Sequence, residues 1–269
     1  ARGTLDADAL MAVGRAVEYL GITSSVLFQD ALMAFEEAAL VNPSDPTPSL
    51  LIGELYLDKY RATDARDAIG PVLEANPRHP RALLAQARIL DFEGVGGAVE
   101  TVRQALGIAP EYVEARTFLA SLLLKTEEQA RAREEAERAL ETNPVSLDAL
   151  SVLAAAHFLA GDTAEYREIE ERVLALNPAY PGLYLTVAEL AVTQRLYRTA
   201  VELAGRAVAL DSTSWRGYGT MGMNQLRIEA VEEGRRNLEI AFAGDPYNPW
   251  YKNSLDLLDT FAHYEKVET

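Results

Sequence analysis

Apolar residues recur at helical spacing along most of the chain. Leu150, Leu153, Ala154, His157 and Phe158 share one helical face, and Ile169, Val173 and Leu174 share the next. An i, i+3, i+4, i+7 recurrence predicts amphipathic helices, whereas half-buried strands would alternate. Polar or glycine-rich links such as Gly94-Val95-Gly96-Gly97 and Gly161-Asp162-Thr163 interrupt each stretch once. Each stretch therefore reads as two helices joined by a turn.

The stops between stretches set a period. Asn42-Pro43, Asn76-Pro77, Ala109-Pro110, Asn143-Pro144, Asn177-Pro178, Asp211-Ser212 and Asp245-Pro246 follow one another at intervals of 34, with a single interval of 33. Proline cannot continue a helix and restricts the residue before it, so each stop ends one helix pair and begins the connection to the next. Aligning the stretches on these stops brings small residues into three columns. The first holds Gly53, Ala87, Ala120, Ala154, Ala188 and Gly222. The second holds Ala31, Ala65, Ala98, Ala132, Tyr166, Ala200 and Gly234, and the third Ala38, Val72, Ala105, Ala139, Val173, Ala207 and Ala241. Small side chains let helix axes approach closely while larger neighbours fill the space between ridges.

A 34-residue helix-turn-helix unit with three small-residue columns and a proline near its end resembles the tetratricopeptide repeat family, over about residues 12 to 248. Gly53 with Tyr56, and Tyr184 with Tyr197, also match that family's glycine and aromatic positions. The resemblance implies an all-α fold, a right-handed α-solenoid (superhelix) of about seven helix pairs with a C-terminal capping helix. The expected units are 4-45, 46-79, 80-112, 113-146, 147-180, 181-214 and 215-248, followed by a cap and polar tail over 249-269. A terminal repeat needs a cover. The apolar stripe of Leu255, Leu258, Phe261 and Ala262 supplies one, with Asp256, Asp259 and Thr260 left for solvent. Three departures stand out. A few residues are inserted around Gly21 to Ser25, the third unit is one residue short at its Gly94 to Gly97 turn, and Tyr166 replaces an alanine. That tyrosine is expected to spread its helices or tilt its unit.

Composition narrows the function classes. The chain has 269 residues, 49% of them hydrophobic, and a formal charge of −16. It can bury a core, and its negative charge argues against nucleic acid and anionic membrane surfaces as partners. With no cysteine it can form neither disulfides nor thiolate metal sites. No apolar run approaches the roughly 20 residues that cross a bilayer. The expectation is a soluble, cytoplasmic or periplasmic chain without membrane insertion. Its start without methionine reads as a piece of something longer.

The motifs that carry chemistry elsewhere do not carry it here. Gly217-Tyr218-Gly219-Thr220-Met221-Gly222 has the glycine spacing of a dinucleotide loop, but a helix rather than a strand precedes it. The turn at Gly94 to Gly97 lacks the lysine and hydroxyl of a nucleotide loop. His79, His157 and His263 include no i, i+4 pair suited to zinc. The acidic and basic residues between Glu127 and Arg138 read as a solvated helical face. No catalytic, metal or cofactor site is expected, and the chain is expected not to be an enzyme.

The resemblance points instead to a concave surface lined by the second, fifth, ninth, twelfth and thirteenth residues of each opening helix. The candidate peptide-binding groove comprises Leu84, Arg88, Phe92, Lys125, Phe158, Leu185, Glu189, Met223 and Arg227. Arg88, Lys125 and Arg227 would steer acidic groups and the apolar members would give contact. The lysine and asparagine set with which chaperone-linked family members clamp a terminal carboxylate is absent, since Leu84 with Arg88, Thr117 with Ser121, and Ser151 with Ala155 stand there. Tyr247, Trp250 and Tyr251 form a second candidate docking patch. The expected partner is a protein or peptide. Residues Asn253 to Thr269 also resemble the junction at which some bacterial repeat arrays precede a zinc-peptidase domain. That likeness makes a downstream domain of the same chain an alternative partner, with this piece recruiting or orienting. A homodimer formed through groove or cap is a further alternative.

Overall fold

The computed structural model describes residues 5–21 and 24–261, the last without its side chain. Fifteen α-helices occupy the described residues: α1 (Ala7–Leu20), α2 (Leu27–Val41), α3 (Thr47–Asp58), α4 (Ala62–Ala75), α5 (Pro80–Phe92), α6 (Ala98–Ile108), α7 (Val113–Lys125), α8 (Gln129–Thr142), α9 (Leu147–Ala160), α10 (Thr163–Leu176), α11 (Gly182–Thr193), α12 (Tyr197–Leu210), α13 (Trp215–Arg227), α14 (Val231–Gly244) and α15 (Pro249–Phe261). No strand occurs among them. The chain forms two compact units, residues 1–115 and 116–269. Within each unit consecutive helices pack as pairs, such as α1 on α2 and α3 on α4 in the first, and α11 on α12 and α13 on α14 in the second.

The turn inside each later pair is a single repeated device. Tyr60, Gly94, Glu127, Gly161, Arg195 and Glu229 all lie in the left-handed region, with φ from 60° to 82°. The amide that follows each of them bonds the carbonyl five residues back, as Arg61 N–H to Tyr56 O at 2.9 Å and Ala230 N–H to Gln225 O at 2.9 Å. This bond satisfies a carbonyl that the helix end leaves unpaired, which is the Schellman solution to chain reversal. Glycine fills the position only at Gly94 and Gly161. The other four side chains are held at positive φ by the surrounding helices at about 1 kcal/mol each.

The connections between pairs are equally regular. Asn42, Asn76, Ala109, Asn143, Asn177, Asp211 and Asp245 share φ between −146° and −126° and ψ between 79° and 103°. Proline forbids the helical region to the residue before it, which explains this geometry at six of the seven sites. The side chain then caps the bend: Oδ1 of Asn76, Asn143, Asn177 and Asp211 accepts from the amide two residues on, at 2.9–3.2 Å. Ala109 has no side chain able to do this.

The small-residue columns mark where helices meet. A Cβ added to Gly53 would lie 2.6 Å from Ile69 Cγ1, and one added to Gly222 would lie 2.7 Å from Leu238 Cγ and 2.8 Å from the Gly234 carbonyl. Each glycine faces a large residue 16 positions later. In the first pair the same role falls to Gly14, whose Cβ would lie 2.4 Å from the Phe35 ring, 21 positions later. The first pair therefore carries five extra residues between its slot and its filler, in agreement with the insertion read around Gly21 to Ser25. Where the filler is Ala136 or Ala204, the facing column holds Ala120 or Ala188, and all four alanines are fully buried. Tyr166 is buried edge-on to Phe158, with ring centroids 5.4 Å apart, and its hydroxyl donates to Glu170 Oε1. Burial first, and then Glu170, raises its pKa.

The helix α15 covers the end of the second unit. Asn248 is buried, and its Oδ1 accepts from the amides of Trp250 and Tyr251 at 3.0 and 3.3 Å, starting the helix with Pro249 in its first turn. The buried Tyr251 packs with Leu238 and Ala241, and with Tyr218, Met223 and Leu255 at the edge of the cluster. The capping stripe read at Leu255 is therefore engaged. Ala262, His263, Tyr264, the tail after it and the Phe261 side chain lie outside the described residues.

Candidate interaction surface

In the first unit the opening helices α3 and α5 lie side by side. Arg81 on α5 holds Glu54 on α3 with a bidentate pair, Nε to Oε1 at 2.7 Å and the terminal nitrogen to Oε2 at 2.6 Å. Arg15 on α1 approaches the same carboxylate at 3.6 Å. Asp58, at the end of α3, lies open to solvent on its outer side, yet protein around it strips away bulk water. That loss, with Glu18 and Glu54 nearby and Arg88 and Lys59 opposing, pushes its pKa up to about 6. Arg88 is half-buried. Phe92 is half-buried too, packing against the core with its ring 6.5 Å from that of Tyr60. Leu84 is only 2% exposed, so it is a core residue and not part of an open wall.

The second unit repeats the arrangement. The helix α9 packs on α11, and α11 on α13. Arg216 grips Glu189 across α11 and α13, its Nε 2.5 Å from Oε1 and its terminal nitrogen bound to Oε2. The pair occupies the same repeat positions as Glu54 with Arg81. Glu189 is therefore paired within the protein, while 38% of its side chain stays exposed. Leu185 is 4% exposed and belongs to the core. Phe158 and Met223 are half-buried, Phe158 against Tyr166 and Met223 beneath Ser254, whose hydroxyl lies 3.3 Å from the thioether sulfur. Lys125 and Arg227 remain exposed. Arg227 stacks its guanidinium 5.2 Å from the centre of the Tyr197 ring and donates to Asn224 Oδ1 at 2.9 Å.

Two networks on this unit escaped the sequence reading. Tyr180 donates to Asp148 Oδ1 at 2.7 Å, and its pKa is raised by burial and by that carboxylate. Arg206 lies 4.1 Å over the Tyr184 ring while donating to the Tyr184 hydroxyl and to Glu170. Burial and Glu170 push Tyr184 up to about 12. Asp148 with Tyr180 and Glu170 with Arg206 lie about a repeat apart, so a column alignment could have found those two contacts, whereas Tyr184 and Arg206 are 22 residues apart.

The second candidate patch divides. Tyr251 is interior, Tyr247 is half-buried and Trp250 is exposed. The three glycines of the dinucleotide-like motif are packing slots: a Cβ on Gly217 would meet Val208 at 2.8 Å, one on Gly219 the Tyr251 hydroxyl at 2.0 Å, and one on Gly222 the helix α14. His79 caps α5, its Nδ1 3.4 Å from the Ala82 amide, and His157 Nδ1 lies 3.2 Å from Asp162, which Arg133 also contacts. No cluster of three His, Asp or Glu able to hold a metal occurs among the described residues, and no helix there is long and apolar enough to cross a membrane.

Helix pairs closed by a left-handed turn, ended by a proline-linked stop and joined through small-residue columns define a helical-repeat protein. Residues 50–113 and 119–181 match the tetratricopeptide repeat family model. These two stretches are tetratricopeptide repeats. A tetratricopeptide repeat protein from Parabacteroides merdae superposes with a TM-score of 0.58 at 16% identity, over 93% of this chain and 98% of that one. Yeast Tom70 gives 0.61 at 16% identity, over 97% of this chain and 58% of its own. The APC/C hetero-tetramer Cut9-Hcn1 gives 0.54 at 13%, over 93% of this chain and 52% of the other. No curated protein matches the chain in sequence.

Proposed function

We propose that this protein is a non-enzymatic scaffold that captures an extended peptide or a helix on the wall formed by its opening helices, in the repeat units read from the sequence. In the second unit the side-by-side packing of α9, α11 and α13 carries the reading. That packing, with Glu189 and Arg216 paired across α11 and α13, gives a wall already formed, and a preorganised surface loses little entropy on binding. Lys125 and Arg227, three repeats apart, then meet separate acidic groups, while the half-buried Phe158 and Met223 give apolar contact at their exposed edges. In the first unit Arg88 and Phe92 take the corresponding parts. A structural neighbour solved as a hetero-tetramer supports a protein partner.

A peptide array of acidic and apolar sequences, read with the chain and with Lys125→Glu combined with Arg227→Glu, tests the proposal. Both side chains are exposed, so the double variant keeps its helical circular dichroism. Binding to acidic peptides should fall at least tenfold, on the order of the coupling that close charge pairs show at interfaces. Equal binding by both proteins would reject the wall. Light scattering across concentration separates a homodimer from capture of a peptide.

A further inference from the structure

The outward face of α2 breaks a rule that every later second helix keeps. At the position of Met33, the later pairs carry Asp67, Glu100, Glu134, Glu168, Glu202 and Arg236, all charged and all exposed. One turn pair further on, Leu40 stands where the later pairs carry Glu74, Gly107, Glu141 or alanine. Met33 is 56% exposed, Leu40 80% and Val26, just ahead of the helix, 75%. Being at the end of the array does not explain this. The same position faces solvent in the interior pairs, which have neighbouring helices on both sides, so it is lateral and not a stacking face. Spacings of seven put Val26, Met33 and Leu40 along one line roughly 21 Å long, at about 1.5 Å per residue.

Acidic groups border this line. Asp30 lies between Val26 and Met33, and Glu36 and Glu37 between Met33 and Leu40. All three are exposed, and none has an ion-pair partner among the described residues. We infer that the outer face of α2 is a docking strip for an amphipathic helix of a second protein, one that presents apolar residues at seven-residue spacing flanked by lysine or arginine. Helix-on-helix pairing uses this geometry, with an apolar seam and complementary charges beside it. A second copy of the chain fits poorly, because it would bring Asp30, Glu36 and Glu37 against their own counterparts. The strip is separate from the opening-helix wall and does not depend on it.

The test uses two synthetic 21-residue helices with the same leucine seam, one flanked by lysine and the other by glutamate, and fluorescence anisotropy against the full chain. The lysine-flanked peptide should bind saturably and the glutamate-flanked one should not. Met33→Glu and Leu40→Glu should each weaken the lysine-flanked peptide at least tenfold. Both strip substitutions add negative charge, so diffuse attraction to an acidic protein would instead strengthen binding. Unchanged or tighter binding by the two variants overturns the inference. So does a concentration-dependent dimer that Met33→Glu abolishes, since that result gives the strip to a second copy.

Discussion

The first and last helix pairs both set a glycine under a large side chain, but only the last adds a second glycine on the facing helix. In α1–α2 a glycine slot takes a phenylalanine ring, Gly14 under Phe35. In α13–α14 glycines stand on both helices, and a Cβ on Gly234 would lie 3.1 Å from the Gly222 carbonyl, so the two backbones themselves come together and Leu238 fills the remainder. In two middle pairs Ala120 meets Ala136 and Ala188 meets Ala204, with a small side chain on each helix. The pairs thus divide the volume at this crossing differently, each closing it without a gap, as expected where interiors are filled to crystal density. The pairs also differ in their reversals. The last closes with Glu229 at positive φ, whereas the first uses a longer connection in which Val26 keeps an ordinary helical φ of −64°. A cavity of about 370 Å³ opens beside that connection, with Tyr19, Phe28, Leu55 and Asp58 among its walls.

The largest way to break the last pair is at its cover. Tyr251→Ala removes a buried ring from the α13–α15 cluster and should cost about 3–5 kcal/mol, read by denaturant unfolding, whereas Trp250→Ala at the exposed neighbouring position should cost less than about 1 kcal/mol. The first pair should lose about 2 kcal/mol on Gly14→Ala, because the new methyl lands in the Phe35 ring. If volume is what the pair conserves, Phe35→Val should cost less in the Gly14→Ala background than in the wild type, a coupling that a double-mutant cycle measures. Additive losses would sink the shared-volume reading.

Smaller effects sharpen the contrast in turns. Glu127→Gly, Arg195→Gly and Glu229→Gly should each raise stability by about 0.5–1 kcal/mol by relieving a left-handed side chain. Glycine at Val26, whose φ is negative, should bring no gain. The smallest expected effect belongs to Asp58. A carboxyl held at about 6 in the folded chain, above its usual 3.8, favours folding when protonated and disfavours it once charged. Asp58→Asn should therefore raise the melting temperature slightly at pH 7, with the gain fading as pH falls from 6 toward 4. A gain that is constant with pH would remove the carboxylate as its cause.

Much of this was legible along the chain. The proline stops and small-residue columns named the fold because a 34-residue period repeats the same steric demand in each pair. Gly14 escaped the column alignment because the five inserted residues moved it out of phase, and only its approach to Phe35 reveals the role. Leu84 and Leu185 read as wall residues because a helix position names a direction but not what the next helix places over it. Helix position likewise did not show that Arg216, 27 residues later, pairs with Glu189.

The order of helices, their ends and their facing columns were set by the sequence itself, since backbone restriction at proline and the size of a side chain are local properties that act wherever the residue stands. The division of volume within each pair, the side chains forced to positive φ, the carboxylates already gripped by arginines and the apolar strip left on α2 were decided by the tertiary structure. Each of those depends on what a second helix brings to within a few ångströms, and no local rule carries that distance.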